Sequence, residues 1–170
     1  MKKLFIFLLF ATTTIFYVGC SKDEDGGTTP PPPQDQIVNT WISEGADVAP
    51  GLVATLKTVK IVATFNANNT YNVVATDSAG ANVTYSGTYS VTENAGTTIK
   101  SITLNQTVPT SVTSQGIYQV DANGFLKYEV IQTTPAIPGF TPPTAVEGFG
   151  STKYNSIPLG ATWIQKFVKQ

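Results

Sequence analysis

The sequence contains no histidine, no arginine and only one cysteine among its 170 residues. Without histidine there is no imidazole for a Ser-His or Cys-His catalytic pair, nor for a histidine-bound zinc site. Between residues 36 and 170 seven lysines balance seven acids, so this part of the chain offers no basic face to nucleic acid. Paired carboxylates are the one remaining catalytic alternative, but the acids are scattered. We therefore expect a non-enzymatic protein with no cofactor, no metal and no nucleic-acid partner.

Long apolar runs are also missing, except for one at the start of the chain. Residues 4–18 carry no charge and follow Met1, Lys2 and Lys3. A membrane-spanning helix needs about 20 apolar residues, and this run is shorter. A basic start, a short apolar core and small residues at its end are typical of a secretory signal peptide. The sequence predicts such a signal over residues 1–19.

The single cysteine follows this run directly, in the stretch "YVGCSKDEDGG". A lone cysteine in an exported chain has no partner for an internal disulfide. Small residues that lead into a cysteine resemble the lipobox of bacterial lipoproteins. The resemblance implies that Cys20 is lipidated, becomes the first residue of the mature protein and makes the membrane a partner of the chain. The alternative is an unmodified thiol in an ordinary signal peptide.

The charges after Cys20 point to a location. "SKDED" resembles the surface-export signal of lipoproteins in the Bacteroidota, which implies an outer-membrane lipoprotein whose domain faces the cell exterior. The alternatives are an outer-membrane lipoprotein that faces inward and a solvated charge run without a sorting role. Residues 20–35 combine acids, glycines and four consecutive prolines. Such a segment cannot pack a core and is predicted to be a disordered tether.

Residues 36–170 have the pattern of an all-β domain. Segments rich in threonine and valine alternate with short turn signals, and helical periodicity is scarce. The pattern predicts eight strands, at residues 39–44, 58–65, 71–76, 83–91, 98–105, 116–120, 125–132 and 162–168. Two segments interrupt them: residues 47–56, where we expect a short helix or a lid, and the proline-rich residues 134–160, whose length is typical of a functional or mobile loop.

Period-two alternation assigns side chains to the two faces of these strands. On the second strand one face holds Val59, Ile61, Ala63 and Phe65. On the fourth strand, "VTYSGTYSV", the apolar residues alternate with threonine and serine, as in a half-buried antiparallel strand. Gly87, in the middle of that strand, indicates a bend or a close approach of another backbone.

Short motifs along the domain resemble those of lipocalin-like lipoproteins of the Bacteroidota. "IVNTWISEG" resembles the opening Gly-x-Trp strand, with Asn39 at the glycine position, and "FNANNTYNV" resembles the second turn. "SGTYSV" and the closing "ATWIQKFVK" fit the family as well. The resemblance implies an eight-stranded antiparallel up-and-down β-barrel, whose interior holds packed side chains or one small ligand. The alternative is an immunoglobulin-like β-sandwich, but consecutive hairpins favour the barrel.

The same resemblance implies a structural role for Trp41. In lipocalins a basic side chain of the last strand packs over the tryptophan of the first strand. Lys166 or Lys169 would form this cation–π contact here. The alternative is that Trp41 is a plug in the core, without a cation.

Four tyrosines fall on strand faces that we assign inward: Tyr71, Tyr85, Tyr89 and Tyr128. Aromatic side chains around an apolar cavity suit a ligand with apolar faces and a few polar groups. The alternative is that they fill the core and bond their hydroxyls at its ends. Ile137, Phe140 and Phe149 of the long loop are expected either to cap the mouth of the barrel or to pack beneath it.

A modification site is a further hypothesis. Asp77-Ser78-Ala79 resembles the short motif of O-glycosylation in the Bacteroidota, which implies a glycan on Ser78; a chance match of three residues is the alternative. We thus expect a non-enzymatic lipoprotein with a lipocalin-like module for a small hydrophobic or amphipathic ligand. The alternatives are a β-sandwich that recognises glycan or protein through its loops and a structural envelope lipoprotein without a ligand. The sequence leaves the oligomeric state open.

Overall fold

The computed structural model of the protein describes residues 34–170. The predicted signal peptide, the lipidation site Cys20 and most of the predicted tether lie outside the described residues. The described residues belong to one compact unit. None of its helices is long and apolar enough to cross a membrane.

Eight strands form a closed barrel, and three short strands form a separate sheet. The barrel strands are β1 (Asn39–Glu44), β2 (Thr58–Phe65), β3 (Thr70–Asp77), β4 (Asn82–Thr92), β5 (Lys100–Val108), β6 (Val112–Val120), β7 (Phe125–Thr134) and β11 (Gln165–Lys169). The small sheet holds β8 (Phe140–Thr141), β9 (Lys153–Tyr154) and β10 (Ile157–Pro158). A helix, α1 (Pro50–Leu56), and two 3₁₀ turns (Gly45–Asp47 and Gly160–Trp163) complete the unit.

The barrel is an antiparallel up-and-down barrel, as the sequence predicts. Each strand from β1 to β7 pairs with the next one, and β11 lies between β7 and β1 and closes the ring. Trp41 of β1 lies opposite Lys169 of β11 at this closure. A closed ring leaves no unpaired edge strand, and neighbours along the chain are neighbours in the sheet. The β-sandwich alternative is therefore wrong, because a sandwich needs two sheets and Greek-key crossings.

Glycines allow the backbones of neighbouring strands to approach each other closely where the barrel bends. A side chain at Gly87 would collide with the backbone of Asn105 and Gln106 on β5, and the register shifts at Ser86–Gly87. A side chain at Gly116 would collide in the same way with Glu129 and Val130 on β7. The close approach predicted at Gly87 is confirmed, and the bulge beside it bends the sheet into the barrel.

One sequence-based face assignment and one strand boundary need correction. Val59 does not continue the inward face of β2: it is 40% exposed, because a bulge between Thr58 and Lys60 shifts the alternation by one residue. The last strand begins at Gln165 rather than at residue 162. Trp163 lies in a 3₁₀ turn, where its ring packs so closely on Gly51 of α1 that a side chain there would clash.

One end of the barrel is closed by Trp41 and by the residues just before β1. Trp41 is 1% exposed, and its indole N–H donates a 2.7 Å hydrogen bond to the carbonyl of Ile37, which is itself fully buried. Asp35, which the sequence places in the tether, belongs to this closure. Its carboxylate accepts hydrogen bonds from Tyr118 Oη (2.7 Å), Lys100 Nζ (2.8 Å) and the Ile37 N–H (2.9 Å). We name this side of the barrel the closed end.

Asp35 makes the stability of the closed end pH-dependent. Burial alone raises the pKa of this carboxyl, but the hydrogen bonds from Ile37, Lys100 and Tyr118 outweigh that effect and hold the pKa below its usual value. A depressed pKa in the folded state contributes stability above the unfolded pKa, and this contribution is lost as the pH falls through the folded pKa.

We therefore expect Asp35→Asn to lower the free energy of unfolding at pH 7 by about 1.5–3 kcal/mol, the range for hydrogen bonds to a charged group. Urea unfolding of both proteins should show a constant difference above about pH 5 and a shrinking one below it. A difference that stays unchanged down to the acid transition would contradict this role.

The segment between β7 and β11, residues 135–164, packs against the outside of the barrel, and we name it the excursion. Ile117 and Glu129 lie opposite each other on β6 and β7, and neither has any exposed surface. The Glu129 carboxylate accepts hydrogen bonds from the N–H groups of Gly150 (2.6 Å) and Thr152 (3.0 Å). Lys127 Nζ lies 4.4 Å from the centre of the Phe149 ring. The outer face of β6–β7 thus forms a second buried layer beneath the excursion.

The Glu129 contacts predict how firmly the excursion is held. Glutamine at this position keeps the size of the side chain but presents an amide to one of the two N–H donors. Since a buried unpaired donor costs about 1–3 kcal/mol, Glu129→Gln should lower stability by that amount and speed proteolysis within residues 135–160. Glu147→Gln is the control, because Glu147 binds Lys153 on the exposed surface. Equal cleavage rates in both variants would contradict the prediction.

Candidate functional site

The barrel encloses a cavity of about 500 Å³ that opens at the end opposite Trp41. Inward-facing residues of β2, β3, β5, β6 and β7 form its wall, among them Ala63, Val73, Ala75, Leu104 and Val130. Leu52, Thr55 and Leu56 of α1 also contribute. Most of the lining is apolar. The volume of the cavity shows that the side chains of the barrel do not completely fill its interior.

Aromatic rings form the floor of this cavity. The Phe65 ring lies 6.2 Å from Tyr71, 6.4 Å from Tyr128 and, edge to face, 5.2 Å from Tyr89. Tyr128 also meets Phe167 edge to face at 6.2 Å. Edge-to-face pairs at these distances stabilise a rigid aromatic cluster. The floor separates the cavity from the closed end.

The structure places three of the four predicted tyrosines on the cavity surface. Tyr71, Tyr85 and Tyr128 line the cavity, and no hydrogen bond joins their hydroxyls to any residue between 34 and 170. Tyr89 differs, because it lies beneath the floor and donates a 2.9 Å hydrogen bond to the Asn66 carbonyl. Tyr89 therefore has the core-filling role that the sequence offered as the alternative, while the other three face the cavity.

Burial controls the ionisation of the two floor tyrosines. Burial raises the pKa of Tyr71 to about 12. Burial is the larger cause, and the nearby Tyr71 the smaller one, of a pKa of Tyr128 well above its usual value. Both hydroxyls are therefore protonated hydrogen-bond donors across the physiological pH range.

The mouth is bordered by α1, the turn between β5 and β6, and the start of the excursion. Leu56 of α1 is 55% exposed at this edge, and Val108 and Ile137 are also exposed. Of the three loop residues expected at the mouth, only Ile137 lines the cavity. Phe140 packs on Trp163 and Tyr154 instead, and Phe149 packs under Lys127, both outside the barrel.

A buried polar network holds α1 over the mouth. Gln165 lines the cavity, and its amide group donates a hydrogen bond to the Ser43 hydroxyl. Its carbonyl oxygen accepts a 2.8 Å hydrogen bond from the N–H of Ala49, the residue before α1. No sequence pattern indicated a site role for Gln165, Ser43 or Ala49. The Ala49-Pro50 pair was the one available signal for the start of α1, because proline is favoured at the first helical position.

The predicted contact between Trp41 and a lysine of the last strand is not formed. Lys166 is exposed and lies opposite Lys127 on the outer face of the barrel. Lys169 is the register partner of Trp41 but is also exposed. In the stretch from Gln34 onward, the one cation–π contact joins Lys127 and Phe149. Trp41 is therefore held by Ile37 and the core, without a cation.

The predicted glycosylation residue lies in a turn. Ser78 is exposed between β3 and β4, and its backbone N–H donates a 2.9 Å hydrogen bond to the Lys57 carbonyl. The neighbouring Asp77 carboxylate accepts hydrogen bonds from the N–H groups of Ala79 and Ala81. The Ser78 hydroxyl thus stands on an ordered, accessible turn at the same end as the mouth.

These features define the protein as a small closed β-barrel with an internal apolar cavity, an architecture compatible with lipocalin-like ligand-binding modules. Comparison of the chain with protein-family models, with curated proteins and with solved structures gave no match. The interpretation of function therefore depends on the geometry of the barrel and its cavity.

Proposed function

We propose that the protein is a lipocalin-like, non-enzymatic binding module that holds a small hydrophobic or amphipathic molecule in its barrel. The observation that supports this proposal is the apolar cavity of about 500 Å³ with an accessible mouth. Sites for small ligands occupy about 300–1,000 Å³ and are lined mostly by apolar and aromatic side chains with a few polar groups. The cavity has both properties.

The ligand-free alternative requires the inward tyrosines to fill the core. Interiors of folded proteins are close-packed, with few voids larger than a water molecule. A cavity three times the size of the roughly 150 Å³ void that holds benzene departs strongly from that norm. Tyr71 and Tyr128 leave this space open instead of filling it, which favours a binding role over a purely structural one.

We further propose that Cys20 anchors the protein in the outer membrane of a member of the Bacteroidota, with the barrel facing the cell exterior. The support is the sequence: the lipobox-like residues before Cys20 and the charges after it. Among the described residues, Asp35 lies at the closed end of the barrel, opposite the mouth.

A fluorescence titration tests the binding proposal. The chain from Ser21 onward keeps the whole compact unit, whose sheet is closed and whose core is internal, so it is expected to fold without the preceding residues. N-phenyl-1-naphthylamine, an uncharged apolar dye, should bind with one site per chain and quench Trp163, which lines the cavity. No saturable binding at micromolar dye would contradict a binding module and favour a structural envelope protein.

The location needs a separate test. Protease added to intact cells of the native host should remove the barrel while a periplasmic marker stays intact. Full protection in intact cells, with digestion after lysis, would contradict surface display and favour an inward-facing lipoprotein.

A further inference from the structure

The lining of the cavity carries no formal charge. The polar side chains that line it in residues 34–170 are hydroxyls, amides and the indole of Trp163, whose buried N–H has no partner in this part of the chain, and no lysine, aspartate or glutamate is among them. An ionised group moved into an apolar interior is strongly destabilised unless it is paired and hydrogen-bonded. A carboxylate or an ammonium group at the floor would find no counter-charge.

The amide groups of the lining are already engaged. Gln106 donates to the Thr110 carbonyl, Gln132 donates to the Pro135 carbonyl, and Gln165 binds Ser43 and Ala49. In each amide, these bonds use one of the two N–H donors and fix the orientation of the side chain. The amides are therefore held in place by the protein itself, with one N–H of each already paired.

The two floor tyrosines are different. Tyr71 and Tyr128 flank Phe65 at the bottom of the cavity, and their hydroxyls have no hydrogen-bond partner in the described part of the chain. Buried polar groups in folded proteins nearly always have a partner. Both hydroxyls open onto the cavity and are not sealed in the core, so they are free to donate to water or to an acceptor group of a molecule that enters it.

We propose that the ligand is an uncharged, largely apolar molecule whose polar group enters first and accepts hydrogen bonds from Tyr71 and Tyr128. An alcohol, a ketone or an ester has the required acceptor. A cavity of roughly 150 Å³ holds benzene, which has six non-hydrogen atoms. In the same proportion, the cavity of about 500 Å³ suits a molecule of about 20 non-hydrogen atoms. This inference depends on the proposed function, since it names the ligand class of the same cavity.

Competition among probes of one chain length tests the ligand class. Dodecanol, methyl dodecanoate, dodecane, dodecanoate and dodecylammonium would be titrated at pH 8 against bound N-phenyl-1-naphthylamine, the two charged probes below their micellar concentrations and the three uncharged probes below their solubility limits. We expect dodecanol and methyl dodecanoate to bind at least about tenfold more tightly than either charged probe, because the charged probes bury an unpaired ion. Dodecanoate binding as tightly as the methyl ester would overturn the assignment to uncharged ligands, while leaving the binding function intact.

Tyrosine-to-phenylalanine variants test the orientation. Tyr71→Phe and Tyr128→Phe each remove one hydroxyl and should weaken dodecanol by about 2- to 10-fold, the range for one neutral hydrogen bond. Dodecane affinity should stay unchanged in both variants, which also shows that the cavity is intact. Tyr89→Phe is the matched control, because its hydroxyl binds Asn66 beneath the floor. Unchanged dodecanol affinity in the Tyr71→Phe/Tyr128→Phe double variant would overturn the inference.

Failure of the proposed function itself has another signature. In that case neither the dye nor dodecane binds to the wild-type chain, whereas failure of the inference alone leaves both bound.

Discussion

Replacing Trp41 with alanine is expected to lower the free energy of unfolding by about 3–5 kcal/mol, the usual cost of truncating a buried aromatic side chain. Trp41 is 1% exposed, spans the closure between β1 and β11, and holds the Ile37 carbonyl through its indole N–H. The truncation therefore opens a void at the closed end and leaves a buried acceptor unpaired. Urea or thermal unfolding of the chain from Ser21 onward measures the effect.

Two further variants separate the causes of that loss. Trp41→Phe retains most of the ring and should cost about 1–3 kcal/mol, mainly through the unpaired carbonyl. Val168→Ala, on the exposed face of the neighbouring strand β11, should change stability by less than about 0.5 kcal/mol. A melting temperature of Trp41→Ala equal to that of the wild type would contradict any structural role of this residue.

Filling the cavity is expected to weaken ligand binding strongly without unfolding the barrel. Ala75 on β3 points into the cavity near the mouth, opposite Ile61. An indole at this position would occupy space that the ligand needs, so Ala75→Trp should weaken dye binding by more than about tenfold, or roughly 1.4 kcal/mol. The same fluorescence titration, read at the dye emission, measures it.

The matched control for this variant is the adjacent residue. Val74 lies on the same strand but on the opposite face, because successive side chains of a strand alternate. Val74→Trp adds an indole of equal size outside the barrel and should bind the dye like the wild type. If Ala75→Trp and Val74→Trp bind the dye equally well, the dye does not occupy the cavity.

The strand pattern was predictable because it is a local property of the sequence. The strands β1 and β2 begin and end at the predicted residues, and the remaining barrel strands differ by a few residues at their ends. Period-two alternation records which face of a strand is buried. It failed at Val59, where a bulge shifts the phase, and at residues 162–164, which end a 3₁₀ turn whose Trp163 packs on α1.

The parts that escaped prediction depend on residues far apart in the sequence. Asp35 looks like the end of an acidic tether, yet its partners Lys100 and Tyr118 lie on β5 and β6. Glu129 occupies an outward position that is normally solvated, and only the packing of the excursion buries it. Short sequence patterns do not predict such contacts between residues that are far apart in the chain.

The candidate site was predictable in kind but not in detail. Alternation identified Tyr71, Tyr85 and Tyr128 as inward-facing, and the structure places them on the cavity. It could not separate them from Tyr89, because depth along the barrel depends on the stagger of the strands rather than on the face. The size of the cavity likewise follows from how all eight strands pack together.

Native mass spectrometry of the protein released gently from its own host tests the central claim most directly. The wild-type chain and Ala75→Trp would be purified side by side, in buffer that contains no detergent with an alkyl chain. We predict a small uncharged molecule that co-purifies with the wild type, leaves on denaturation and is missing from Ala75→Trp. The same adduct on both proteins would contradict a ligand in the barrel, and an adduct-free wild type that also fails to bind the dye would contradict the binding function.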